Sequence, residues 1–233
     1  MKIEMMNKPN IKIDIVSDVV CPWCYIGKRR LEKALEQLNH KYNFELEYHP
    51  FELNPDMPAS GVNQREYLTE KFGGEDRYDQ ITSHTSTVAA EEGLAFNFTN
   101  QPVSPNTRSM HVVLTLAKQE GVQLQVMEAF FKAYFSDAVD LSKKENILTI
   151  AAQAGLDRTK AEQYLADDNT TVQVALAEKE MYKLGISGVP FFILNNKYGV
   201  SGAQSTETFL KALEDIGAEV ATAESCDVNG KNC

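Results

Sequence analysis

The chain has 233 residues, 43% of them hydrophobic and 24% charged, enough apolar material for one large domain or two small ones. Its 33 acidic and 23 basic residues give a formal charge of −10, and the longest basic run is Lys28-Arg29-Arg30, which argues against nucleic acid as a partner. No segment is long and apolar enough to span a bilayer, and the opening MKIEMMNKPN lacks a signal peptide's apolar stretch, so no membrane partner and a cytoplasmic location are expected.

Residues 11–16 alternate Ile11, Ile13 and Ile15 with Lys12 and Asp14, the period of a strand, and residues 44–51 alternate likewise. Leu31, Ala34, Leu35 and Leu38 recur between them at helical spacing, so the chain opens as a βαβ unit. Helical signals dominate from about Pro58 to Leu184. Four stripes stand out: Met110 to Ala117, Val126 to Ala133, Ile147 to Ala154 before Gly155, and Val174 to Leu184 before Gly185. Strand signals return at Phe191–Leu194, a turn falls at Asn195-Asn196-Lys197, and Tyr198–Val200 follows. A last helix carries Phe209, Leu210, Leu213 and Ile216, with Ser205 or Thr206 as its N-cap. From about Ala221 to Cys233 no period is visible.

Cys21-Pro22-Trp23-Cys24 lies between a strand end and a helix start. Proline suits the first helical turn, where its missing N–H would have been unpaired anyway. Cys21 then falls at the N-cap, where free N–H groups and the helix dipole favour its thiolate. Cys24, three residues on, shares its helix face, so one sulfur can attack a disulfide and the other resolve the mixed disulfide. A reducing compartment suits such redox chemistry or a metal. The rival reading, half a zinc site, needs two further soft ligands, and His40 and His49 stand in no such context, so no metal is expected. The second motif is Gly188-Val189-Pro190-Phe191-Phe192, a proline opening an apolar strand, which is either an edge-strand start or a cis bond.

Together, SDVVCPWCYIGKRRLEKAL (17–35), PFELNPDMP (50–58), PNTRSMH (105–111) and GISGVPFFILNNKYGVSGAQ (185–204) resemble the thioredoxin superfamily, specifically its DsbA-like branch that includes FrnE-type proteins. The resemblance covers roughly residues 11–216. It implies an α/β chain with a thioredoxin fold (1–57 and 178–220) interrupted by an all-helical insertion (58–177), followed by a flexible cysteine-containing tail (221–233). It also implies Cys21 as attacking thiol, Cys24 as resolving thiol, and a cis Val189-Pro190 bond facing them. Substrate would then lie against Pro22, Trp23, Val189 and Pro190.

Two departures limit the likeness. Trp23 stands where periplasmic DsbA has a histidine between its cysteines, so that enzyme's oxidising strength does not carry over. Thioredoxins often bury an acid six residues before the first cysteine; that position is Ile15, which leaves Asp14 or Asp18 as a proton acceptor for Cys24, with Asp18 equally readable as a cap at the strand end. Asn106, Thr107 and Arg108 either line the groove or begin a helix. Phe51, Leu53, Asn54 and Pro55 border the groove or simply leave the core, and Trp23 and Tyr25 pack either around the sulfurs or, as is commoner for an aromatic beside a helix start, simply into the core. His49, His84 and His111 read as structural.

The expected function is thiol–disulfide exchange with a protein or small-molecule substrate, needing no cofactor beyond the redox-active disulfide, with glutathione open as a co-substrate. The alternatives are a glutathione-dependent isomerase of the 2-hydroxychromene-2-carboxylate isomerase type, whose members carry serine in place of Cys21, and a chaperone-like binding module. Cys226 and Cys233, flanking the turn signal Asn229-Gly230, are candidates for a secondary redox pair.

Overall fold

The computed structural model describes residues 8–229, with side chains as far as Val220. In chain order, β1 (Asn10–Ser17), α1 (Pro22–Leu38) and β2 (Asn43–Pro50) come first. There follow β3 (Val62–Asn63), α2 (Gln64–Phe72), α3 (Glu75–Glu91), β4 (Val103–Ser104), α4 (Arg108–Gln119), α5 (Gln123–Phe135), α6 (Lys144–Gln153), α7 (Arg158–Ala166) and α8 (Asp168–Lys183). β5 (Phe191–Leu194), β6 (Tyr198–Ser201) and α9 (Thr206–Asn229) close the chain.

The main sheet has the order β2-β1-β5-β6. β1 and β2 are parallel, which requires the crossover that α1 supplies, whereas β1–β5 and β5–β6 are antiparallel. Asn195 and Asn196 take left-handed φ values of 51° and 56° in the turn between β5 and β6, a conformation asparagine tolerates better than most residues. Ile13 and Ile15 pair with Leu194 and Phe192, and Phe192 meets Phe209 of α9 edge-on at 4.8 Å. That face packs under α1 and α9. On the opposite face Val16, Phe51, Met181 of α8 and Ile186 form a second cluster.

Helices fill the span between β2 and β5, as expected, with two additions: a ladder of two residues per strand pairing Val62 with Ser104, and a 3-10 turn at Phe98–Asn100. The four apolar stripes coincide with α4, α5, α6 and α8; α2, α3 and α7 had no such signal. The expected limit between insertion and returning sheet, 177/178, falls inside the continuous helix α8. From Ile13 on, β1 is buried on both faces, and Asp14 lies there with Lys12 at 3.0 Å and His49 at 2.7 Å. One expectation needs correction. The helical signal ends near Ile216, whereas α9, capped by Ser205 through Thr208 N–H, continues to Asn229, and no glycine or proline interrupts 218–229. Cys226 falls within that span; its side chain and all of Cys233 lie outside the described residues.

Candidate active site

Ser17 ends β1, and three residues separate it from the N-cap of α1. Cys21 is the N-cap residue with an extended backbone, Pro22 takes the first helical position, and Cys24 N–H donates to Cys21 C=O at 3.0 Å. The hinge holds because Cys21 N–H bonds Asp18 C=O at 3.1 Å. The Val189-Pro190 bond is cis, and Cys21 Sγ lies 3.7 Å from Val189 C=O. The approach of α1 to this strand depends on Gly27: a Cβ there would come within 3.3 Å of both Pro190 and Phe192.

Both thiols are free, but their surroundings differ. Cys21 opens onto a cavity of about 330 Å³ and Cys24 does not line it. Burial, a hydrogen bond with Cys21 and the charge of the Cys21 thiolate push the Cys24 thiol well above its ordinary value; the Ser17 side chain and the Asp18 backbone favour its ionised form. Ser17 Oγ is buried and otherwise has no hydrogen-bond partner of normal geometry among the described residues. The helix start does not leave Cys21 open to solvent: only 4% of its surface meets water, because the cavity walls and Val189 close over it.

Those walls come mostly from outside the motif. α1 contributes Pro22 and Trp23, and the loop after β2 contributes Leu53, Asn54 and Met57. α2 supplies Tyr67, Leu68, Lys71 and Phe72, α3 supplies Ile81, Thr82 and Thr85, and α5 ends in Tyr134 and Phe135. None of the α2, α3 and α5 residues was singled out from sequence. Thr107 lines the cavity and is also the N-cap residue of α4. Asn106 instead ties Met57 C=O and Arg108 N–H, and Phe51 packs against Tyr182 rather than the cavity. Tyr25 turns away from the sulfurs, stacking on Phe131 at 4.9 Å and donating to Glu128 at 2.8 Å.

Behind the cavity lies a buried polar layer. Asp18 Oδ2 accepts from Leu53 N–H at 2.8 Å, while Oδ1 has no hydrogen bond and sits 3.6 Å from His111 Nε2. Glu52 pairs with Arg108 at 2.7 Å and its N–H donates to Glu178; burial raises the Glu52 carboxyl above its ordinary value against the pull of Arg108. This layer anchors the wall segment at 51–54. As for metals, Asp14, Glu47 and His49 can bring three ligand atoms within 4.8 Å of one another. Lys12 and Lys118 already neutralise these carboxylates, and none of the three lines the cavity.

A sheet of this order, a C-x-x-C pair at a helix start and the carbonyl before a cis proline against the first sulfur give the site a thioredoxin-type geometry. The DSBA-like thioredoxin domain family matches residues 12–214, and the chain belongs to that family. Among relatives, the Bacillus subtilis protein YwbO is 25% identical over 218 residues, covering 88% of this chain and 96% of YwbO. The crystal structure of a probable DsbA oxidoreductase from Streptomyces coelicolor matches with a TM-score of 0.82 and 35% identity, over 88% of this chain and 89% of that one. The cytosolic disulfide reductase DsbM from Pseudomonas aeruginosa, solved with GSH, shares the fold: TM-score 0.62, 15% identity, and coverage of 92% of this chain and 99% of DsbM.

Proposed function

We propose that the protein is a thiol–disulfide oxidoreductase in which Cys21 attacks and Cys24 resolves. The Cys21 thiolate displaces one sulfur of a substrate disulfide, giving a Cys21 mixed disulfide and a free thiol. Cys24 then gives up its proton and attacks the Cys21 sulfur, releasing the second substrate thiol and leaving the Cys21–Cys24 disulfide. Run backwards, the same steps oxidise two thiols. The observation that carries this reading is the asymmetry of the pair: Cys21 faces the cavity at the helix start, while Cys24 is buried behind it with its proton held.

A Cys24→Ser variant should trap substrate on Cys21, visible by peptide mass mapping, and Cys21→Ser should abolish turnover. Trapping on another cysteine, or turnover surviving in Cys21→Ser, refutes the assignment; the latter with binding intact would favour a chaperone-like module. The same trap tests the tail pair. A relay through Cys226 or Cys233 yields an intramolecular disulfide between either of them and Cys21. If Cys21 stays free and removing residues 222–233 leaves turnover unchanged, there is no relay.

A further inference from the structure

We infer that the substrate of this site is a low-molecular-weight disulfide or thiol with an apolar, aromatic-sized body and an anionic group remote from its sulfur. The inference rests on the Cys21 chemistry proposed above and adds the class of molecule.

Size comes first. About 330 Å³ is the scale of a small-molecule pocket rather than a protein-docking surface. With Cys21 only 4% exposed, a disulfide fixed on a folded protein cannot bring its sulfur in line with Sγ. Lining chemistry comes second. Trp23, Met57, Leu68, Phe72 and Phe135 present apolar surface, and several polar groups among them are already engaged. Thr82 and Thr85 hydroxyls donate to Tyr78 C=O at 2.8 Å and Ile81 C=O at 2.7 Å within their own helix. Tyr67 Oη accepts from Asn54 and from Lys71, each at 3.3 Å. A peptide backbone, or the two carboxylates and ammonium of a glutathione unit, would be desolvated there with few partners.

Charge gives the orientation. The carboxylate of Asp18 borders the cavity beside Cys21, its Oδ1 without a hydrogen bond and 3.6 Å from His111 Nε2, so the sulfur end disfavours an anion. The mouth is marked by the exposed side chains Leu53 and Ile81, at 40% and 37%, and by Lys71. Lys71 rests over the Tyr67 ring at 5.4 Å and has no carboxylate partner among the described residues. An anionic group on the substrate would complete that pair.

The reduced protein, the wild type and two variants, should be mixed in single turnover with dithiobis(nitrobenzoic acid), dithiodipyridine, glutathione disulfide and a folded protein carrying an accessible disulfide. Each rate is divided by that of dithiothreitol on the same compound, which removes leaving-group effects. Normalised rates for the two aromatic disulfides should exceed that of glutathione disulfide by at least about tenfold. Lys71→Gln should lower the ratio of carboxylated to uncharged aromatic rates by about threefold, as should high salt in the wild type. Leu68→Trp, filling the cavity, should erase the preference for aromatics; its unfolding midpoint checks the fold, and Lys71→Gln at an exposed position keeps the test if it fails to fold. Equal normalised rates for glutathione disulfide or the folded protein, or a charge ratio unmoved by Lys71→Gln, overturn the inference and leave the Cys21 mechanism standing. A Cys21 that reduces none of the four overturns both.

Discussion

Cys21 and Cys24 are one helical turn apart, and the difference between them is made by what each touches. Cys24 must ionise while buried and hydrogen-bonded with the Cys21 sulfur, so its proton is held against neutral pH. Iodoacetamide labelling followed by peptide mapping should therefore modify Cys21 first from about pH 6 to 9, with Cys24 labelled only on unfolding. Faster labelling of Cys24 would contradict the proposed order. Because burial is the largest of the effects on Cys24, it should resist labelling even in Cys21→Ser. Ser17 works the other way. Its hydroxyl has no other hydrogen-bond partner among the described residues and favours the Cys24 thiolate, so Ser17→Ala should slow resolution of a Cys21 mixed disulfide by about three- to tenfold. Stopped-flow separation of the first, bimolecular phase from the second, unimolecular phase checks this, with Ser17→Thr restoring the second phase. A loss confined to the first phase would show that Ser17 only shapes the fold.

The helix that carries the pair is clamped to α5 through one carboxylate. Glu128 accepts from Tyr25 at 2.8 Å, pairs with Lys28 at 2.6 Å and is gripped by Arg29. Burial alone would raise its pKa, but the Arg29 and Lys28 contacts outweigh burial and bring it from 4.5 down to about 2. A carboxyl depressed on folding stabilises the protein above its unfolded value and loses that contribution as pH falls from 4.5 toward 2. Glu128→Gln should thus cost about 1–3 kcal/mol in urea unfolding at pH 7 and much less at about pH 2, where nearly all of that contribution is gone from the wild type. An equal cost at both pH values would mean that shape rather than charge holds α1. Elements of this kind were readable in the sequence because their apolar residues are spent on the core: Leu31, Ala34 and Leu38 mark α1, and Met110, Val113 and Ala117 mark α4. α2 was not, since QREYLTEKF has three large apolar residues, Tyr67, Leu68 and Phe72, and all three line the cavity. The sulfur pair and the Val189-Pro190 segment stood out as motifs. The enclosure of Cys21 did not, because it is made by helices more than forty residues away whose side chains carry no chemical signature.

Across the whole molecule the packing is uneven, and the site lies along the seam. The sheet, α1, α4 and α5 share one continuous core containing Ile13, Leu31, Val113 and Phe130. On the other side of the cavity α2 buries only Gln64, and α3 only Tyr78, Thr85 and Ala89. The α2–α3 unit is fixed mainly by its own contacts and caps, including Asn63 accepting from Glu66 N–H at 3.0 Å and the Tyr78–Gln64 bond at 3.2 Å. Segments with few buried apolar contacts open at lower free energy than the core they flank. Native-state hydrogen exchange should therefore show amides of residues 64–91 exchanging through local opening, while those of β1 and α4 require global unfolding. The same helices wall the entrance to Cys21, so their opening is the natural route for substrate into a cavity where the sulfur is otherwise shielded. Occupying the cavity should then slow exchange in 64–85 more than in α4. A Cys24→Ser protein carrying an aromatic thiol in disulfide linkage to Cys21, compared with the same protein free, makes this measurement directly. Protection of α2 and α3 at the level of β1, with no change on loading, would mean that the wall is rigid and that substrate must enter through the mouth between Leu53 and Ile81 as it stands.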